Sequence, residues 1–435
     1  MENKRVPPSS VDFSRLLPLG VKAVSKSRKF APNNGASFSA TNNVIRIPLN
    51  TNSFIDPRQS YLTFDIKVTG SEAGATKYTA CDGSAHALIS QLRIEGSEGT
   101  ELERCSNYNV VYHAMRDLQC GDDHRMTLQN CMELAPTGGD LQSVKLVDNA
   151  TQNVRGVSLK LMSGLLNSDK YIPAGFVSGG GLVIELTLET DKNALFTNGT
   201  GTPTYELSNV NYIAQCVEMS EDFNQNFRAM LKEQGGIQWS GQNFYTHSYN
   251  FSSSTSGTAN VPVTGRYKSL KAMFHVLRQS ENLNKSTEYS VSRRSSNNAE
   301  SIQWHIGANV YPSQPVQGTA TNPSQFVAEL VKAVSSLGDV RMGSQLNIAN
   351  FTEVATVVAT VVNGKAVYGI DLESYAHSSD ILESGINTAD LALNMNVEFK
   401  FGASALNAKD VTVTSACLVD SIYTLDSQGI LTVTV

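Results

Sequence analysis

"SIQWHIGANVYPSQPVQGTATNPSQFVAELVKAV", residues 301–334, opens as a strand, crosses a Pro-rich loop and ends as a helix. Ile302, Trp304 and Ile306 alternate with polar residues, the period of a half-buried strand. Asn322 then suits a helix N-cap and Pro323 the first helical position. Phe326, Val327, Leu330, Val331 and Val334 follow at i, i+1, i+4, i+5 and i+8, which places them on one helical face. Nearly everything around this stretch reads as short strands and polar turns. Whether its helix stands alone decides what kind of β protein the chain is.

It does not stand alone. In "RIEGSEGTELERCSNYNVVYHAMRDLQCG", residues 93–121, Val110, Val111, Ala114, Met115 and Leu118 repeat the same spacing 216 residues earlier. Each helix follows an alternating strand that ends in isoleucine, Ile94 or Ile306, and then a turn-rich loop. Spacing, preceding strand and position within each half together point to an internal duplication. Each helix is expected to cover one end of a β-sandwich, burying its stripe against loops and strand ends.

Between and around the helices, strands recur. In "NNVIRIPLN" (42–50) Ile45, Ile47 and Leu49 alternate, and Pro48 suits a sheet edge. "SFIDPRQSYLTFDIKVTG" (53–70) has a turn signal at Asp56-Pro57, then Leu62, Phe64, Ile66 and Val68 on one face. Ile89–Ile94 and Leu102 read as a hairpin around Gly96–Gly99; "GLVIELTLET" and "YELSNVNYIAQCVEM" complete the first β region near residue 219. "SEDFNQNFRAMLKEQGG" (220–236) then has Ser220 as N-cap, Phe223, Phe227, Met230 and Leu231 on one face, and a Gly-Gly stop. It reads as a connecting helix. After it the β pattern restarts with "FYTHSYNFSSS", "YKSLKAMFHVL", "FTEVATVVATVV", "ADLALNMNVEFKF", "DVTVTSACLVDSIYTLD" and "GILTVTV".

The division expected is therefore a basic arm over 1–40, a first β domain over 41–219, a connecting helix over 220–236 and a second β domain over 237–435. At 435 residues the chain exceeds one ordinary core and suits such a split. With 40% hydrophobic and 17% charged residues it is globular and poor in charge. No run of eighteen apolar residues exists to span a membrane. The first residues lack the apolar region of a secretory leader, so export by that route is not expected and the six cysteines are read as reduced thiols. The net charge of −6 argues against a protein that coats nucleic acid over its whole surface. Lys4, Arg5, Arg15, Lys22, Lys26, Arg28 and Lys29 face only Glu2 and Asp12, however, which makes residues 1–30 +5 and the rest −11. A basic arm on an acidic body suits contact with phosphate, in genome or lipid.

Four stretches carry a family resemblance: residues 45–68, 87–111, 306–330 and 368–399, the last reading "YGIDLESYAHSSDILESGINTADLALNMNVEF". Together they resemble the double jelly-roll major capsid proteins of tailless icosahedral DNA viruses, the lineage of adenovirus hexon, polinton-like viruses and membrane-containing phages. The resemblance implies an all-β fold of two consecutive jelly-roll sandwiches, each with one bracing helix, joined by a connecting helix. It also implies a homotrimer of pseudo-hexagonal outline that tiles a virion shell beside penton and minor capsid proteins. The basic arm would face the interior or a neighbouring capsomer and meet genome or an internal membrane.

Residues of catalytic type do not converge. Seven histidines form no metal-binding pair at ligand spacing, and His275 and His305 lie on predicted strands, where a packed or hydrogen-bonded role is expected. "CGDDHR" (120–125) has ligand-type residues but no second cluster, and "VSGGGLVIEL" (177–186) lacks the spacing of a nucleotide-binding turn. The acids of "DLES" (371–374) and "DILES" (380–384) motivate the alternative reading, a carbohydrate-binding or glycosidase-type β-sandwich. Trp304 is expected in a core and Trp239 where the two rolls meet. No catalytic, cofactor or metal site is expected, and no enzyme.

Overall fold

The computed structural model describes residues 20–71, 77–119, 129–136, 144–146, 154–252, 257–319, 322–335, 346, 348–351, 364–374, 384–389, 394–402 and 410–435. The first half contributes eight roll strands: β1 Ala23–Phe30, β2 Val44–Leu49, β3 Phe54–Thr69, β4 Ile89–Glu95, β5 Glu101–Ser106, β6 Val154–Leu159, β7 Leu182–Leu188 and β8 Thr204–Met219. The second contributes β9 Gly236–Phe251, β10 Thr258–Val263, β11 Leu270–Gln279, β12 Ala299–Ile306, β13 Asn309–Gln317, β14 Tyr368–Asp371, β15 Met395–Phe401 and β16 Val411–Asp426.

In the first half the strands lie in the orders β1-β8-β3-β6 and β2-β7-β4-β5. In the second they lie in the orders β9-β16-β11-β14 and β10-β15-β12-β13. Adding eight to each number of the first pair gives the second, so the two halves have one topology. All these pairings are antiparallel, and two facing four-stranded sheets in this order make a jelly roll. The helices α1 (Tyr108–Gln119) and α3 (Ser324–Ser335) are both twelve residues long and sit 216 residues apart, each between the fifth and sixth strand of its roll. The connecting helix α2 spans Glu221–Gln234. Ser220 caps it by accepting the Phe223 N–H at 3.4 Å, and Gly235 ends it at φ 74°, a left-handed backbone that glycine adopts without strain.

Alternation places the core. Along β7, and along β3 from Ser60 onward, every second residue is buried, and these inward residues fill the first sandwich with Leu92, Ile94 and Leu207. Trp304, Phe399, Met273 and Val413 centre the second. Trp304 is 1% exposed and donates to His275 Nε2 at 2.8 Å, while His275 Nδ1 lies 2.9 Å from the Ser415 hydroxyl. Burial pushes the His275 imidazole far below its ordinary range, to about 3, so it is a neutral hydrogen-bonding post between the two sheets.

Several expectations are corrected. Residues 23–30 of the basic arm form β1, which pairs with β8 from Ala23↔Met219 to Phe30↔Tyr212, and Ser37–Ser39 pairs with β8 as well. The first roll therefore starts inside the stretch assigned to the arm. The Pro-rich loop after Ile306 is strand β13, an edge strand, where prolines cost no ladder bond. Asp56-Pro57 is no turn: β3 runs through it, and the register against β8 slips between Tyr61 and Asp56 as a bulge. Pro323 precedes α3, its carbonyl accepting the Val327 N–H at 3.0 Å. The strand expected over 351–362 lies almost wholly outside the described residues, as do Leu391 and Leu393.

Candidate assembly surfaces

The first surface is internal, the seam where the rolls meet. In β11 the residues from Leu270 to Leu277 are all buried, on both faces of the sheet. Met273 and Leu277 point into the second sandwich, whereas Ala272, Phe274 and Val276 point out of it. That outer face is covered by Val110, Val111, Ala114, Met115 and Leu118 of α1, with Leu330, Ala333 and Val334 of α3. Each helix still packs on its own sandwich, Tyr108 of α1 joining the first core and Phe326 of α3 the second, but the stripe that sequence had assigned to a sandwich end is shared at this seam. Both lie on one sheet of the second roll, and α1 reaches it from the first. Each aliphatic side chain so buried contributes about 1.5–3 kcal/mol relative to exposure, which explains why the all-β chain keeps two apolar helices.

Polar groups lock the same seam. Asp117, near the end of α1, accepts from Arg294 Nη2 at 2.5 Å and from Lys365 Nζ at 3.2 Å, both in the second half. These cations hold its carboxyl well below the ordinary range despite burial. Asp82 of the first half is fully buried and accepts the Val291 N–H at 2.6 Å, the Ser292 N–H at 3.3 Å and the Ser292 hydroxyl. Asn107 Nδ2 donates to Ser248 Oγ at 2.9 Å and Thr246 Oγ1 to the Ser106 carbonyl at 2.6 Å. Glu103 on β5 accepts from Ser163 Oγ at 2.6 Å, Gly164 N at 3.1 Å and Leu165 N at 3.3 Å; burial pushes its carboxyl up to about 7. A side chain at Gly164 would collide with Asn243 of β9, so this glycine is what lets the rolls approach. Trp239, 8% exposed, stacks on Tyr423 at 5.8 Å and joins the first roll's core, as the sequence placed it.

The second surface is the outer edge formed by β1. Of the arm's basic residues, Lys26 and Arg28 lie on β1 and share Glu218 of β8, at 2.9 and 2.7 Å. Lys22 and Lys29 are exposed beside them, and the Lys22 carbonyl accepts the Ser220 N–H at the start of α2. Lys4, Arg5 and Arg15 lie outside the described residues. The structure thus brings four of the seven to one strand edge.

The carboxylates that motivated a glycosidase are occupied. Glu373 pairs with buried Lys271 at 2.7 Å and accepts from Ser384 Oγ, and Asp371 accepts the Glu373 N–H. Asp380 and Glu383 lie outside the described residues, as does "CGDDHR". Gly179, Gly180 and Gly181 form a positive-φ turn before β7. Among the described residues no group of three His, Cys, Asp or Glu could hold a metal, and no helix is long and apolar enough to cross a membrane. The residues that sequence reasoning missed are Asp82, Glu103, Asp117, Arg294 and Lys365. One signal was readable: Arg116-Asp117 interrupts the apolar stripe of α1 beside Leu118, where only a charged partner could follow it into a core.

No protein-family model matches the chain, and a search of curated proteins finds no match. Solved structures do match. The PBCV-1 capsid protein VP54 superposes with a TM-score of 0.61 at 11% identity, over 97% of this chain and 99% of that one. The Faustovirus major capsid protein gives 0.62 at 9%, over 96% and 92%. The mavirus major capsid protein gives 0.56 at 9%, over 100% and 96%. Two of these three neighbours are named as major capsid proteins. The chain folds, over its whole described length, as a double jelly roll of the kind found in these viral major capsid proteins.

Proposed function

We propose that the chain is a viral major capsid protein, three copies of which form a pseudo-hexagonal capsomer that tiles an icosahedral shell. The observation that carries this reading is the pair of topologically identical rolls locked by helices from both, matching capsid proteins end to end. A subunit with two equivalent rolls offers six similar flanks per trimer, and many weak trimer contacts then sum to a stable shell. Its partners are further copies of itself, with penton and minor capsid proteins at special positions, and its location is the virion.

The arm completes the proposal. With Lys26 and Arg28 engaged by Glu218, the reach of the basic segment rests on Lys4, Arg5, Arg15, Lys22 and Lys29, facing the shell interior or a neighbouring capsomer and meeting genome or an internal membrane. Solution mass and cryo-electron microscopy of the purified chain test the reading. Three-chain particles of six-fold outline, or closed shells, are expected; a chain that stays monomeric at every concentration overturns it.

A further inference from the structure

Where β11 ends, a small pocket opens between that strand and the loop that Asp82 grips. Arg278, Gln279, Asn282, Tyr289, Arg293 and Arg294 line it, and the centre of a water-sized sphere is free to range over about 10 Å³, which leaves room for a single ion somewhat larger than water. Gln279 is 6% and Arg294 1% exposed. Among the described residues, Arg278 Nε, Gln279 Nε2, Arg294 Nε and Arg294 Nη1 are buried here without a hydrogen-bond partner. Four nearby carboxylates have other partners, among them Glu189, which accepts from Asn109 Nδ2 at 3.0 Å. Asp117 takes Arg294 Nη2, Asp82 takes backbone amides, and Glu288 takes Arg293 Nη1 at 3.3 Å.

We infer that this pocket binds one monovalent, chloride-sized anion. Buried donors left unpaired are costly, and the one carboxylate that Arg294 meets, Asp117, is shared with Lys365 and Arg116. A water offers two acceptor lone pairs and no charge, whereas an anion accepts from several N–H groups at once and neutralises the arginines. The size of the pocket excludes a phosphodiester or nucleotide, so the ligand is a free ion and not genome. Burial also lowers both Arg278 and Arg294 from their ordinary range, the direction an anion reverses. Because Asp82 holds the same loop through Val291 and Ser292, occupancy would stiffen the second roll where the first grips it.

The test does not depend on the capsid reading. Melting temperatures of the full chain are measured at fixed ionic strength in chloride, bromide and gluconate, the last too large to enter. Chloride and bromide are expected to raise the melting temperature in a saturable way, and a crystal soaked in bromide to show an anomalous peak beside Arg294 and Gln279. Gln279→Glu supplies the negative charge from the protein and is expected to melt at a temperature independent of chloride. Equal melting in chloride and gluconate, or no bromide peak in the pocket, overturns the inference even where the variant fails to fold.

Discussion

Replacing Glu103 with glutamine isolates one buried proton at the seam. The wild-type carboxyl is 2% exposed and pushed up to about 7 by burial, outweighing three hydrogen bonds that favour its charged form. In the unfolded chain it titrates near 4.5. Between those two values the native protein keeps a proton that the unfolded chain has released. Stability from this group is therefore full below about pH 4.5, falls as pH rises through 7, and is flat above. The difference of about 2.5 units at about 1.4 kcal/mol each gives a loss of about 3 kcal/mol across the window. The substituted amide would keep an oxygen for the Ser163 hydroxyl but turn an N–H donor toward backbone N–H groups, a cost of about 1–3 kcal/mol at every pH. Glu103→Gln should be the less stable protein at pH 5, with the gap closing or reversing by pH 8. Urea unfolding followed by the fluorescence of Trp239 and Trp304 at pH 5, 6, 7 and 8 reads that gap. Asp82, pushed up to about 6, adds a slope of the same sign to both proteins and drops out of the difference. A gap that stays constant with pH would refute the assignment of a retained proton to Glu103.

Three further outcomes follow from the seam. Asp117→Ala leaves Arg294 and Lys365 without their shared carboxylate and should cost about 3–5 kcal/mol; calorimetry that finds the variant as stable as wild type counts against a seam held by charge. Leu330→Ala should cost about 2–5 kcal/mol, and Val331→Ala, half exposed one residue on, less than about 0.5 kcal/mol; equal losses in chemical denaturation would mean that α3 packs with another face. As for acid, Asp117 has its carboxyl held far below the ordinary range, so its contribution is complete above about pH 4 and lost only as pH falls further. Circular dichroism should then show Asp117→Asn levelling below pH 4, where wild type still declines.

Much of this was legible because many of the strands bury one side only. Period-two alternation gave β2, β3, β7 and β15, and the repeated helix spacing exposed the duplication. Five roll strands went unread, β1, β6, β10, β13 and β14, two of them, β1 and β13, for a shared reason. β1, "AVSKSRKF", is exposed along nearly its whole length, and β13 carries two prolines and mostly exposed side chains. Edge strands of this kind are held by backbone hydrogen bonds to one neighbour, which leave no hydrophobic pattern to read. The destination of α1 was hidden differently. Its stripe announces burial but not the surface that buries it. "LKAMFHVL" in β11, apolar without alternation, was the complementary half of that message, since a strand with no polar side must be covered twice. The buried charges were least visible, because Asp117, Arg294 and Lys365 are brought together from far apart along the chain by the tertiary fold alone.

In each roll the strand that comes last along the chain, β8 or β16, lies inside its sheet, flanked by strands made long before it. While the chain is still emerging from the ribosome, β9 and β11 have no common neighbour, and α1 has no finished sheet to settle on. Only when residues 411–426 arrive does the second roll close; residues 429–431 then hook back onto Ser97 and Ser178 of the first. A stalled or clipped chain is thus left with an apolar helix face and an open sheet, a form that proteolysis can recognise. Synthesis as far as residues 411–426 becomes a condition for the second roll to have a shape at all.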